Sequence, residues 1–164
     1  MITESRRVPV SQHGITAVWQ DPSTGHHSLH STRVYQPGDV ITPFEAASIE
    51  PVPGYLTLQV SDNQHIMLSP AFLEYVNHSC SPNAFFNTDT FEFTCLKPVH
   101  PGDQLTFFYP STEWEMAQSF TCRCGSFNCL GEIRGASQMP SGILAQYRLT
   151  GYIREKLKAR DNHS

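Results

Sequence analysis

The segment CRCGSFNC places Cys122, Cys124 and Cys129 in a C-x-C-x4-C array. Three thiolates this close, in a loop containing glycine and asparagine, can wrap one ion, and zinc takes four tetrahedral ligands, usually sulfur and nitrogen. One ligand is missing locally. Cys80 and Cys95 are the cysteine candidates and His78 the nitrogen candidate; the plain alternative is three buried, reduced thiols. A redox pair is less attractive, because C-x-C is not the usual C-x-x-C spacing. A second group, NHSCSPN at 77–83, flanks a histidine and a cysteine with two amides, so that Cys80 reads as nucleophile, metal ligand or small buried hydrophobe. A third, GDQLTFFYP, is a turn followed by an apolar strand ending in Phe107, Phe108 and Tyr109. It is either a core strand whose last tyrosine keeps its hydroxyl wet, or one wall of an aromatic channel that holds an amine against a phenol.

The elements that must position these groups are short. Candidate strands lie at 14–19, 29–35, 39–46, 55–60, 65–69, 91–96 and 104–109, with alternating or fully apolar character. QPGD (36–39) and HPGD (100–103) carry Pro and Gly in turn-forming positions. PAFLEYV (70–76) suits a short helix with Ser69 as its cap and Pro70 at its first position. Ile143, Leu144, Tyr147, Ile153 and Leu157 are spaced for one or two amphipathic helices, split near Gly151. The pattern predicts a mostly β domain with a helical C-terminal end.

Composition narrows the partners. Hydrophobic residues make up 39% of the 164, enough to fold rather than stay disordered, and the length suits one ordinary domain. Of the charged residues, Arg148, Arg154, Lys156, Lys158 and Arg160 crowd the last 17 positions, leaving an acidic body before them. An acidic body attracts a basic substrate and repels a phosphate backbone, so direct nucleic-acid binding is not expected. The basic end reads as a solvated helix face, or as a dock for an acidic partner. The N-terminal stretch MITESRRVPVSQHG has no apolar run after its arginine pair, and no 18 apolar residues run together, so neither a signal peptide nor a membrane partner is expected. The expectation is an intracellular protein, cytoplasmic or nuclear, in a reducing compartment where an odd count of five cysteines serves metal better than disulfides.

Taken in order, NHSCSPN, PGDQLTFFY and C-x-C-x4-C resemble the signature of SET-domain protein lysine methyltransferases, over roughly residues 25–131. Any one of these motifs is weak; the three in sequence are specific. YPSTEWEMAQSFTCRCGSFNCLG looks most like the compact bacterial and fungal type with a post-SET zinc motif. The resemblance implies a mostly β fold, the SET-like β-clip with its pseudoknot, plus short helices and a C-terminal helical segment. It implies a SET-like domain over 1–118, a post-SET zinc-binding segment over 119–135 and a helical tail over 136–164. Cys80 would join Cys122, Cys124 and Cys129 around a structural Zn2+, leaving Cys95 free. Asn77 and His78, with His27 and Ser28 and with Tyr109, would bind S-adenosylmethionine. Tyr109 would be catalytic, and Phe107 and Phe44 would line the substrate channel; phenylalanine at 107 resembles enzymes that go beyond monomethylation.

Several positions depart from the family pattern. His26 and Ser28 stand where glycines let backbone approach the cofactor. Phe44 replaces a common active-site tyrosine, Glu74 an arginine, and Phe108 an aspartate. Clustered His26, His27 and His30 read as surface histidines, since neighbours on a strand diverge, and Trp114 either covers a channel or anchors the zinc segment. The function this implies is S-adenosylmethionine-dependent methylation of a lysine ε-amine on a protein or peptide. The alternatives are a SET scaffold acting on a small amine or amino acid, and a zinc-stabilised, non-catalytic binding module.

Overall fold

The computed structural model describes residues 7–162; the opening six residues of the N-terminal stretch discussed above lie outside them. The fold is mostly β, built from small sheets. β1 (Val8–Gln12), β2 (Thr16–Gln20) and β3 (His27–Ser31) form one antiparallel sheet. β4 (Val40–Pro43) pairs with β10 (Glu92–Cys95), which pairs with β9 (Ala84–Asn87). β5 (Glu45–Glu50), β7 (Gln64–Ser69) and β6 (Leu58–Ser61) form a third. β8 (Asn77–His78) runs parallel to β11 (Thr106–Phe107), and β12 (Phe120–Thr121) pairs with β13 (Glu132–Ile133).

Local chemistry explains where the elements depart from expectation. The strand expected over 29–35 ends at Ser31, whose hydroxyl donates to the Arg33 carbonyl and accepts from the Arg33 N–H, turning the chain away from the ladder. The strand expected over 39–46 breaks at Phe44. Its N–H bonds the Phe91 carbonyl while its ring is buried, so β4 and β5 join different sheets. The strand expected from 55 starts at Leu58, because the Thr57 hydroxyl closes a turn on the Gly54 N–H at 2.8 Å. The helix expected at 70–76 is a 3-10 turn over Ala71–Tyr75. Pro70 is its cap residue and no side chain caps it, so Ser69 does not.

The two Pro-Gly-Asp turns are built alike. Gly38 and Gly102 take φ of 95° and 93°, the left-handed conformation that position three of a type II turn requires. Each aspartate closes its turn from both ends: Asp39 and Asp103 each accept a backbone N–H, of Gln36 and His100, at 2.8 Å. Tyr35 and Val99, one residue before each, exchange backbone hydrogen bonds at 3.0 Å. This fixes the start of β4 and the approach to β11.

Two apolar clusters meet at adjacent residues. Phe107 faces the main core, with Leu29, Ile66, Leu73, Phe86 and Phe93. Phe108 faces the other way, as strand neighbours do, into a second core with Leu144, Leu149 and Ile153. There the Tyr147 ring stacks on Phe108 at 3.6 Å and 3°. The C-terminal end is a one-turn α1 (Ser141–Leu144) and α2 (Gly151–Asp161), whose first turn is capped by the Thr150 hydroxyl. Two of the basic side chains here serve the fold. Lys156 pairs with Asp62 at 2.9 Å, and the Arg160 guanidinium donates to the carbonyls of Ala136, Ser137 and Met139.

Candidate functional site

The hairpin of β12 and β13 brings Cys122 and Cys129 to the two ends of one loop, closed by the Cys122 N–H on the Gly131 carbonyl at 2.6 Å. Cys80 approaches from the end of β8. The four sulfurs of Cys80, Cys122, Cys124 and Cys129 lie within 4.8 Å of one another. The Cys80 and Cys122 sulfurs are 3.8 Å apart, and zinc–sulfur bonds of about 2.3 Å in a tetrahedron place sulfurs about 3.8 Å apart. The donor set therefore fits zinc. Burial pushes the Cys80 thiol up to about 11 and Cys122 higher still. Cys124, against the effect of its own burial, is drawn down to about 6 by the Ser126 hydroxyl and backbone donors. An ion binding here displaces protons from buried thiols and supplies the charge that burial otherwise opposes. Cys95 is elsewhere, buried on β10 with its thiol on the Lys97 carbonyl at 2.8 Å.

His78 is a neighbour of this centre rather than a ligand. Its Nδ1 accepts the Tyr109 N–H at 3.1 Å, so the ring proton of the neutral form sits on Nε2, 3.4 Å from the Cys80 sulfur. Burial holds the ring well below the usual histidine range, at about 3. A neutral imidazole thus donates toward a cysteine of the metal centre and receives the backbone of Tyr109. Such outer contacts fix ligand orientation.

Tyr109 stands at the end of β11 beside a cavity of about 790 Å³. The buried part of its lining is mostly apolar, from Leu58, Leu68, Leu73, Phe86 and Phe107, with Glu113 the buried carboxyl among them; Asn77, His26 and Gln104 line it elsewhere. Phe107 lies 4.7 Å from the Tyr109 ring, and the Tyr109 hydroxyl points to the Val76 carbonyl at 3.5 Å. Burial raises the phenol well above its ordinary range, so it stays protonated. One wall comes from residues 116–124, the segment that carries two of the cysteines.

Of the residues expected to bind cofactor or substrate, Asn77, His78, Phe107 and Tyr109 line this cavity. Asn77 holds the local frame, its amide donating to the His27 carbonyl at 2.8 Å and to Gln104 at 3.3 Å. Three expected residues do not line it. Phe44 is buried between Phe86 and Phe91. The His27 ring leans on Tyr75 at 5.0 Å, while His26, just before β3, reaches the cavity. Ser28 is buried and hydrogen-bonded to His30 Nε2 at 2.8 Å, while His30 Nδ1 donates to the Gly102 carbonyl and its ring stacks on Trp19. The serine that replaces a glycine is therefore used to hold a buried histidine. Trp114 anchors the segment after Tyr109, its N–H on the Gln59 side chain at 2.8 Å and its ring under Lys156.

Sequence reasoning missed Glu113. It lines the cavity, is buried, and accepts the Gln59 N–H at 2.9 Å and the Thr112 hydroxyl at 2.6 Å, both on Oε2. Burial raises its carboxyl from the ordinary 4.5 to about 7. No local signal marked it, because its burial comes from Gln59 on β6.

The chain is similar to known proteins. The model of the SET domain family matches residues 35–110. The methyltransferase flvH of Aspergillus flavus is 40% identical over 125 residues, covering 75% of this chain and 70% of that protein. The histone-lysine N-methyltransferase Set2 of Drosophila melanogaster is 34% identical over 74 residues, 42% of this chain and 3% of that one. Among solved structures, KRYPTONITE in complex with mCHG DNA and SAH is similar at a TM-score of 0.49 and 15% identity, over 65% of this chain and 26% of that one. The chain belongs to the SET-domain methyltransferase family. Among the described residues, no helix is long and apolar enough to cross a membrane.

Proposed function

We propose that the protein transfers a methyl group from S-adenosylmethionine to a lysine-type ε-amine, with Tyr109 at the reacting centre and Zn2+ held by Cys80, Cys122, Cys124 and Cys129 as a structural ion. The observation that carries this reading is one cavity whose wall combines a buried, protonated phenol, an aromatic lining and the four-cysteine segment. S-adenosylmethionine supplies a sulfonium-bound methyl group, so the chain's task is alignment and exclusion of water. Phe107 and Phe86 shape an apolar passage for the four-carbon stem of a lysine. Tyr109, protonated and oriented by its contacts with His78 and Val76, holds the nitrogen in line. Asn77 and His78 form the cofactor side, with His26 and Gln104 in place of the expected Ser28. A reducing compartment, cytoplasm or nucleus, suits this reading, because four thiols stay available there for metal.

A second reading, a free small amine or amino acid as substrate, rests on the departures from the family pattern at His26, Ser28 and Phe44. The name of flvH states no substrate, whereas that of Set2 states a histone lysine. The two readings share one test: methyl-labelled cofactor is offered to lysine peptides and to free amines. Tyr109→Phe should cut turnover by about 100-fold or more, with zinc content and melting temperature unchanged. Unchanged turnover would remove Tyr109 from the reaction.

A further inference from the structure

The cavity holds a charge that alignment alone does not explain. Glu113 is 7% exposed and lies one turn beyond Tyr109, its N–H bonded to the Tyr109 carbonyl at 3.0 Å. Residues four apart on a helical turn share a side, so the carboxylate and the phenol stand at the same cavity. Both donors to the carboxylate, the Gln59 N–H and the Thr112 hydroxyl, reach Oε2. Among the described residues nothing donates to Oε1, and no Lys, Arg or His pairs with Glu113. A buried carboxylate with no cation is costly. Anchoring does not require it, because the Gln59 side chain already ties the Trp114 and Glu115 N–H groups to β6.

We propose that Glu113 receives the ammonium of the substrate at Oε1 and takes the proton it must lose before methylation. The proposal rests on the amine-methylating reading above and adds its proton acceptor. An N–H bond breaks, an O–H bond forms on Glu113, and nitrogen keeps the electron pair that the methyl group then meets. The carboxyl returns its proton to water between turnovers. An alkylamine with an ordinary pKa of about 10.4 is almost wholly protonated at neutral pH, so an internal acceptor replaces a rare free-base encounter. Burial lifts the carboxyl to about 7, close to the operating pH, where a general base works best. No ion pair among the described residues involves Glu113. Tyr109 on its own turn, Tyr55, Glu74, His26, His78, Arg7, Arg123, Cys122 and Cys124 line the same cavity, and Tyr152 on α2 and Glu115 interact electrostatically beside it.

Glu113→Gln tests it, since the amide keeps the shape and an acceptor for both donors. With any amine the wild type methylates, kcat/KM of the variant should fall by about 100-fold or more at pH 7, the range a positioned base supplies. The deficit should close toward pH 10, where the amine loses its proton unaided. A variant profile that parallels the wild type at every pH would overturn the proposal. Independently of turnover, n-butylammonium should bind the wild type at pH 8 and bind Glu113→Gln at least tenfold more weakly; equal binding would overturn it as well. A wild type that binds n-butylammonium but methylates no amine would instead sink the methyltransferase reading and leave the ammonium site standing. If Glu113→Gln does not fold, Glu113→Asp, which withdraws the acid by one methylene, should show the same pH-dependent loss.

Discussion

Glu113 also marks where function and stability pull apart. Its carboxyl sits at about 7 in the fold against an ordinary 4.5, so the folded chain holds a proton that the unfolded chain has released across that interval. The contribution of Glu113 to stability must therefore fall as pH rises from about 4.5 to 7, by up to about 3 kcal/mol, and stay reduced above it. Glu113→Gln removes the charge, so its melting temperature should exceed that of the wild type at pH 8, with the gap closing by pH 5. A gap independent of pH would show that the carboxylate is not strained by burial. Much at this scale was legible in the sequence. Of the three candidates for the fourth metal ligand, the structure places Cys80 with the other sulfurs, Cys95 on a different strand, and His78 beside the cluster with Nδ1 committed to Tyr109. Glu113 was not legible, because nothing in YPSTEW marks a glutamate as buried; its burial comes from β6, more than 50 residues away.

Among the elements, strand identity was readable and strand limits were not. The periodicity of 65–69 and 91–96 reports burial against neighbours, and both become strands, β7 and β10. Side-chain to backbone hydrogen bonds at Ser31 and Thr57 shortened two others, and such bonds leave no mark on hydrophobic pattern. Among the short pairs made only by tertiary approach, β11 falls inside the strand expected over 104–109, while β8, β12 and β13 were missed, since such pairing leaves no mark on hydrophobic pattern. Phe108 shows how an element is recruited. Where the family pattern has an aspartate, the apolar ring offers a platform on which Tyr147 stacks, and the Tyr147 hydroxyl donates to the Cys80 carbonyl at 2.7 Å. One residue thus joins the C-terminal end to the second core and to the metal centre. Tyr147→Ala should cost about 3 kcal/mol in urea unfolding and loosen metal binding; a loss below about 0.5 kcal/mol would mean that the end of the chain is merely draped on the body.

Across the whole molecule, the metal centre, the cavity and the C-terminal end are one mechanical unit. The segment holding Cys122 and Cys124 is also a cavity wall, and Cys80 lies two residues after His78, whose ring receives the Tyr109 N–H. A metal held by these cysteines would therefore organise a wall of the cavity beside Tyr109. The order of three motifs made the family legible. The shape of the cavity was not, because Ser28, His27 and Phe44 turn away from it and Glu113 turns in. The most direct measurement is native mass spectrometry of the purified chain with S-adenosylmethionine, before and after chelation. The expected result is one zinc and one cofactor per chain, with both lost together when zinc is stripped, since the wall of 116–124 then loses its order. A chain that carries zinc but no cofactor at any concentration would contradict the account and leave a zinc-stabilised binding module in its place.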